Sequence, residues 1–289
     1  SISARHKISS LSLYTNMQKT IQFSFLLMIG MLICNHSQSQ TLTFEWAKKI
    51  GSSTGYDLGN AAAVDAQGNL YAAGNFEGTV DFDPGPAVAN LTTVGSSREV
   101  FIQKWGPAGN YLWAKRVGGP DIAWADDLVL DAANNVYVMG TFGGTSDFDP
   151  GPGVFNLTAI NGGASIFFLK LDVNGNFVWA RSLDNEATGG CRSIAVDSVG
   201  NLFAVGRWFG TVDFDMGPST VNRTSAGSAD MYVMKLNSNG NFAWVKTIGG
   251  TGSDYWTMAD LDSGSNVYMI GSFSGMVDFD PNVGISNLN

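Results

Sequence analysis

A nine-residue run, Gly78-Thr79-Val80-Asp81-Phe82-Asp83-Pro84-Gly85-Pro86, returns three more times along this chain. It reads GTSDFDPGP to Pro152, GTVDFDMGP to Pro218 and GMVDFDPNV to Val283. The first Asp of the copies stands at 81, 147, 213 and 278, so the chain repeats in steps of 66, 66 and 65 residues. Periodicity of this kind limits the fold to architectures in which one supersecondary unit buries its faces against its neighbours.

Within each period the chain reads as short apolar runs separated by Gly, Asn and Asp turns, without a useful stretch of helical period. The expectation is all-β. In the first repeat strands are predicted over Gly59 to Val64, Asn69 to Asn75, Val100 to Trp105 and Tyr111 to Val117. The first two are joined by Asp65-Ala66-Gln67-Gly68-Asn69, with counterparts beginning at Asp131, Asp197 and Asp262. In such a turn an Asp side chain caps the backbone while Gly or Asn supplies positive φ. The last two are joined by similar turns at Gly106, Asp172 and Asn237, whereas the middle pair is joined by a long excursion, Phe76 to Glu99, that the Asp-Phe-Asp run opens. A four-stranded antiparallel unit in tandem, stacking on its neighbours, predicts a β-propeller of four-stranded blades with a repeat of about 66 residues. Trp46, Trp113, Trp179 and Trp244 recur at one position of the outermost strand and read as packing between blades.

The first forty residues are a separate object, with three basic residues (Arg5, Lys7, Lys19), no acid, and an apolar run near Ile21 to Cys34. A positive start at Met17, a hydrophobic centre and a polar exit to Gln40 form a secretory signal over 17–40, with 1–16 an upstream extension and 41–289 the repeats. The apolar run falls short of the roughly 20 residues that span a bilayer, so no membrane span is expected once the signal is removed. Both histidines, His6 and His36, lie in this leader, leaving 13 basic against 25 acidic residues in the expected mature chain. That balance disfavours nucleic acid and anionic membranes. The one remaining thiol, Cys191, is expected as a small buried residue.

The run AVDAQGNLYAAGNF, followed after the excursion by VFIQKWGPAGNYLWAKRVGG, resembles the bacterial β-propeller repeat called SBBP and, more distantly, NHL blades. The resemblance runs from Phe44 to the end, with Lys104, Lys170, Lys235, Gly118-Gly119 and Gly249-Gly250 among its marks. The third copy departs from it with Leu183-Asp184 in place of Gly-Gly, and Met216 replaces the Pro of the Asp-Phe-Asp-Pro run. The resemblance implies a secreted or surface propeller, often in long chains that end in a sorting domain. Blades are expected over 58–117, 124–183 and 190–248, with a partial blade over 255–289 and an orphan outer strand over 44–50. In closed propellers such a strand completes the last blade, so a piece of a longer protein is expected, self-associating through unpaired blade edges.

Candidate chemistry centres on the paired acids Asp81/Asp83, Asp147/Asp149, Asp213/Asp215 and Asp278/Asp280. Residues two apart in an extended strand share a face, so each pair presents two carboxylates while its Phe turns inward. They could seed a calcium site, which needs six to eight oxygens, or cap an Asx-type turn. Without a mature histidine, Ser-His-Asp, Cys-His and ordinary zinc sites are out of reach. Carboxylate-dependent glycan hydrolysis stays open, but the non-repeated acids Glu77, Glu99, Asp121, Asp126, Asp184 and Glu186 read as solvated loop charges. Asn90-Leu91-Thr92, Asn156-Leu157-Thr158 and Asn222-Arg223-Thr224 match a glycosylation sequon but, being repeat positions, are expected to hold a turn or short strand. The function expected is a secreted or surface non-catalytic module binding protein or carbohydrate, with the excursions as its working rim. The alternatives are a glycan-active enzyme and a purely structural surface repeat.

Overall fold

The computed structural model describes residues 44–52, 55–95, 97–159, 163–184, 190–282 and 284–289. The expected signal and the extension before it lie outside the described residues, as does Glu186. The chain divides into two units, Ser1–Trp46 and Ala47–Asn289, and everything below concerns the second. No helix occurs among the described residues, and none is long and apolar enough to cross a membrane.

The first sheet is formed by β1 (Leu58–Val64), β2 (Leu70–Phe76), β5 (Glu99–Trp105) and β6 (Tyr111–Val117), with β3 (Thr79–Asp81) and β4 (Asn90–Thr92) inserted as a separate hairpin. The pattern recurs with β7 (Ala123–Leu130), β8 (Val136–Gly143), β11 (Ala164–Leu171) and β12 (Phe177–Asp184), and with β9 (Thr145–Asp147) and β10 (Asn156–Thr158) as the inserted hairpin. It recurs again with β13 (Cys191–Val196), β14 (Leu202–Trp208), β17 (Asp230–Leu236) and β18 (Phe242–Gly250), and the hairpin β15 (Thr211–Asp213) and β16 (Asn222–Thr224). A fourth sheet holds only β19 (Tyr255–Leu261) and β20 (Val267–Ser272); its hairpin, β21 (Val277–Asp278) and β22 (Asn287–Leu288), extends the third sheet at the edge of β18. All these strand pairs are antiparallel; short turns connect the first two and the last two strands of each four-stranded set, while the inserted hairpin lies between the middle two.

The turns form for the reason the sequence suggests. Asp65 Oδ1 accepts the N–H groups of Gln67 and Asn69, and the Asn69 side-chain amide donates to Oδ2 at 2.7 Å. The same three bonds recur at Asp131, Asp197 and Asp262. Gly68 supplies φ of 83° at the turn, and Asn134 and Ser265 hold the same position at 61° and 63°. Asn tolerates that region through its short polar side chain.

Each first strand is bulged, between Gly59 and Ala61, Ala125 and Asp127, Cys191 and Ser193, and Trp256 and Met258. The bulge presses a carbonyl onto the second strand: a Cβ at Gly74 would stand 1.9 Å from Leu58 O, and one at Gly140 2.0 Å from Trp124 O. Glycine is therefore required in the middle of these strands, where it is otherwise unfavourable.

Sheets stack face to face, and the core lies between them. One cluster joins the first two sheets through Tyr71, Val100, Ile102, Val138, Phe142 and Phe167; another joins the second and third through Tyr137, Phe168, Trp179, Ile194, Trp208 and Tyr232. Hydrogen bonds stitch the stack. Asn60 Nδ2 donates to Ala125 O at 2.7 Å, Asp127 Oδ2 accepts from Ile194 N at 2.9 Å, and Tyr137 Oη donates to Gly200 O at 2.9 Å. The recurring tryptophans do the same at the outer edge: Trp113 Nε1 reaches Val173 O and Trp179 Nε1 reaches Ser238 O, each in the following repeat.

The structure corrects one expected element. No residue of Phe44–Ile50, predicted as an outer strand, is in a strand. Its counterparts β6, β12 and β18 are each paired with a third strand, and the fourth sheet offers none among the described residues. The Gly-Gly marks, by contrast, acquire a reason. Gly118 pairs with Asp147, and Gly249 and Gly250 pair with Asp278 and Val277, so the chain after β6 and the end of β18 run on into the next repeat's inserted hairpin. A Cβ at Gly119 would lie 2.4 Å from Thr145 O and one at Gly250 2.2 Å from Met276 O, an approach that excludes a side chain. Where the chain has Leu183-Asp184 instead, β12 keeps its own pairing with β11 to Asp184.

Candidate interaction surface: the inserted hairpins and the inner cleft

The excursions are hairpins, not open loops. In each, the Phe of the Asp-Phe-Asp run is the anchor: Phe82, Phe148 and Phe214 are wholly buried. They pack edge to face on an aromatic of the second strand, Phe76, Phe142 and Trp208, with centroids 5.3, 5.1 and 5.9 Å apart. The flanking acids stay near the surface and cap the chain. Asp81 Oδ1 accepts from Asp83 N at 3.0 Å and Ala89 N at 2.9 Å, pulling the two ends of the tip together, while Asp83 Oδ1 accepts from Gly85 N at 2.7 Å. Asp147 and Asp149, Asp213 and Asp215, and Asp278 and Asp280 repeat this arrangement. The N–H groups of Ser286 and Asp280 hold the Asp278 carboxyl below its ordinary range.

The sequon threonines also find a physical role. Thr79 and Thr92 face each other hydroxyl to hydroxyl at 2.9 Å, as do Thr145 and Thr158 at 2.9 Å and Thr211 and Thr224 at 2.8 Å. Such cross-strand pairs lock the register of a three-residue hairpin. Held this way, the tips project exposed residues, with Val88 and Val154 each 71% exposed.

As a metal site the pairs are incomplete. Each hairpin brings two carboxylates together with one oxygen of each already accepting backbone N–H groups, and among the described residues no three acidic, His or Cys side chains converge on a common point. A calcium ion here would draw most of its six to eight oxygens from carbonyls and water.

A second constellation recurs in the sheets, and sequence reasoning treated its lysines only as family marks. Lys104, Lys170 and Lys235 lie over the rings of Tyr71, Tyr137 and Phe203 at 4.7, 4.7 and 4.6 Å. Lys170 is 3.7 Å from Asp131 and Lys235 3.5 Å from Asp197, so the turn-capping acid is also the counter-ion. Although burial opposes it, hydrogen bonds from Asn201 and Val199 and the Lys235 charge hold Asp197 below the usual carboxylate range. The signal available in the sequence was the constant phase of Asp, aromatic and Lys across the repeats.

The non-repeated acids are not all solvated loop charges. Glu99 is wholly buried on β5, ion-paired with Arg116 and accepting Val94 N–H; burial still raises its carboxyl. Asp126 stands on β7 beside the bulge, and Asp184 ends β12. Asp126 has an exposed outline, but the packed strands around it strip away water and push its carboxyl to about 6, Arg192 opposing and Asp127 adding to the rise. Asp121 is exposed in the turn before β7, and Glu77 lies between β2 and β3. The first strands wall a shallow cleft of about 370 Å3, lined by Asp127, Val129, Ser193, Ala195, Met258 and Asp260. Asp127 is committed to structure there, since Ser193 Oγ and Ile194 N both donate to it. Cys191 is buried and its thiol is pushed up to about 12 by desolvation, which removes it as a nucleophile near neutral pH.

No family model matches the chain. It is similar to an uncharacterised WD repeat-containing protein of Acanthamoeba polyphaga mimivirus, 25% identical over 189 residues that make up 57% of this chain and 13% of that protein. The chain thus corresponds to a small part of its relative's length. An all-β chain of stacked antiparallel sheets with that similarity has a β-propeller-like repeat fold.

Proposed function

We propose that this chain is a secreted or cell-surface β-propeller of four-stranded blades, repeating about every 66 residues, that acts as a non-catalytic module for binding a protein. One observation carries the reading: the inserted hairpins are built alike in successive repeats, rigidly capped, and turn exposed tips such as Val88 and Val154 outward. Rigid repeated tips favour recognition through several weak contacts. Similarity to a WD repeat-containing protein supports an interaction scaffold, and the composition of residues 17–40 supports export. Protein captured by the purified chain from the extracellular fraction of its own cells is expected to bind saturably. Capture should fall with Val88→Asp and Val154→Asp together while the melting temperature holds. Capture indifferent to those changes overturns the reading, and the absence of any saturable partner leaves a purely structural surface repeat. Intact N-terminal residues on a cytoplasmic product would remove the secretion part.

A glycan-active enzyme is favoured by one observation, the Asp126 carboxyl raised to about 6 on the strand that walls the cleft. That reading requires reducing sugar released from a polysaccharide panel and abolished by Asp126→Asn. The metal part of the proposal is calcium on the paired carboxylates, supported by at least partial exposure of both acids in every hairpin; no heat on titration and no rise in melting temperature at millimolar calcium would remove it. Self-association through unpaired sheet edges belongs to the same proposal, and a monomer over a wide dilution series in sedimentation would count against it.

A further inference from the structure

The second repeat departs from the others at one end of its sheet. Trp124 on β7 stands where the other repeats have Leu58, Gly190 and Tyr255, and Gly143 on β8 stands where they have Glu77, Phe209 and Ser274. Trp124 and Thr141 are directly opposed across β7 and β8, so their side chains share one face. Two residues along that face, Gly143 lies opposite Ala164 on β11, and with almost no side chain on this rung the surface dips. The dip is an open cleft of about 350 Å3, walled also by Asp121 and Ile122. Asp121 fits there because residue 144 is glycine: a Cβ at Gly144 would overlap its Oδ2.

The polar groups of this cleft are of both kinds. The Asp121 carboxylate accepts hydrogen bonds, Trp124 Nε1–H donates, and the Thr141 hydroxyl does both. Among the described residues none of these three groups has a hydrogen-bond partner, and Trp124 and Ile122 are 36% and 45% exposed. An ammonium ligand only donates and would leave Trp124 Nε1 unsatisfied, while a phosphate or carboxylate only accepts and meets the Asp121 charge. A purely apolar ligand would strip water from all three groups without replacing it. Hydroxyls on a ring both donate and accept, and the C–H face of the same ring is apolar enough to lie on an indole. An aromatic wall with a few convergent polar groups is the make-up of a small-molecule site.

We infer that this cleft binds a neutral pyranose, its C–H face on the Trp124 ring and its hydroxyls shared between Asp121 and Thr141. The hairpin tips recur in phase, whereas Trp124 and Gly143 break the phase, so this site belongs to the second repeat.

The test is a ligand-observed NMR titration of the full chain with the methyl glycosides of glucose, galactose, mannose and N-acetylglucosamine. At least one is expected to bind saturably with a single dissociation constant, weakened at least tenfold by Trp124→Ala and by Asp121→Ala. Both side chains reach the surface, and circular dichroism checks that each variant folds. Leu58→Ala, at the same position of the first repeat, should leave binding unchanged. Absence of saturable binding of every one of these glycosides at millimolar concentration overturns the inference, as does unchanged binding in Trp124→Ala. Binding of choline or inorganic phosphate in place of the sugars also overturns it. Tighter binding of the matching oligosaccharide would identify a glycan end as the source and equal binding a free sugar, and either supports the inference. Sugar binding should survive Val88→Asp with Val154→Asp, and also Asp126→Asn, so its failure is distinguishable from failure of the hairpin and hydrolytic readings.

Discussion

The second strands of the second and fourth sheets are close to the same sequence, VYVMGTF over 136–142 and VYMIGSF over 267–273, yet they live in different surroundings. Tyr137 and Phe142 are at 0% exposure, while Tyr268 and Phe273 are at 62% and 37%. Local geometry is shared: both strands pair antiparallel with a bulged first strand, and both follow a turn capped by an Asp and an Asn. What differs is the company, since β8 has β11 beside it and sheets on both faces, and β20 has neither a third strand nor a following sheet among the described residues. Burial in this fold is conferred by neighbours on a strand whose own pattern is already set.

That contrast can be broken by mutation. Phe142→Ala empties a closed ring cluster and should cost about 3–5 kcal/mol, whereas Phe273→Ala removes a part-exposed ring and should cost about 1 kcal/mol or less. Denaturant melts giving equal losses would show that the fourth sheet is covered. A second comparison is kinetic: amides of Val136–Gly143 should exchange by global opening and those of Val267–Ser272 by local fraying. Indistinguishable protection would erase the difference drawn here. Asp197→Ala, which removes a turn cap and the partner of Lys235, should cost about 1–2 kcal/mol. The exposed Asp262→Ala should lower the melting temperature by clearly less, and a reversal of that order would mean the lysine partner adds nothing.

The smallest expected effect is in the pH dependence, where two kinds of acid have opposite signs. Asp65, Asp172 and Asp197 have folded-state carboxyls lowered below 3.8, so their stabilisation is present above that value and is lost as pH falls through it. Asp126, raised to about 6, acts in reverse: its stabilisation is present below about 4 and is lost as pH rises through 6. Thermal melts across pH 4 to 7 should therefore flatten in Asp126→Asn, while the acid-side loss remains. An unchanged profile would place Asp126 in ordinary solvent.

Much of the fold was legible because its devices are local. The strands predicted over 100–105 and 111–117 form at Glu99–Trp105 and Tyr111–Val117, since short apolar runs flanking a Gly-Pro-Ala-Gly-Asn turn leave the backbone few other choices. The inward Phe and the capping Asp of each excursion were readable for the same reason. The short strand at each Asn-X-Thr run was expected, but not its pairing with the strand that opens the excursion, because a three-residue ladder has too little pattern to show its partner. Glu99 and Asp126 were misplaced because nothing in the composition of a single charged position shows whether a neighbouring sheet will cover it.

The amino-acid sequence alone determined the period, the all-β character, the turns and the anchoring of each hairpin, because all of these act over a few residues or recur in phase. Only the tertiary structure decided why Gly-Gly stands at the ends of the first and third outer strands, where the lysines go, and which apolar faces meet a partner. Those depend on a carbonyl, a ring or a carboxylate brought close by another strand or another repeat, and a linear pattern carries no distance between them.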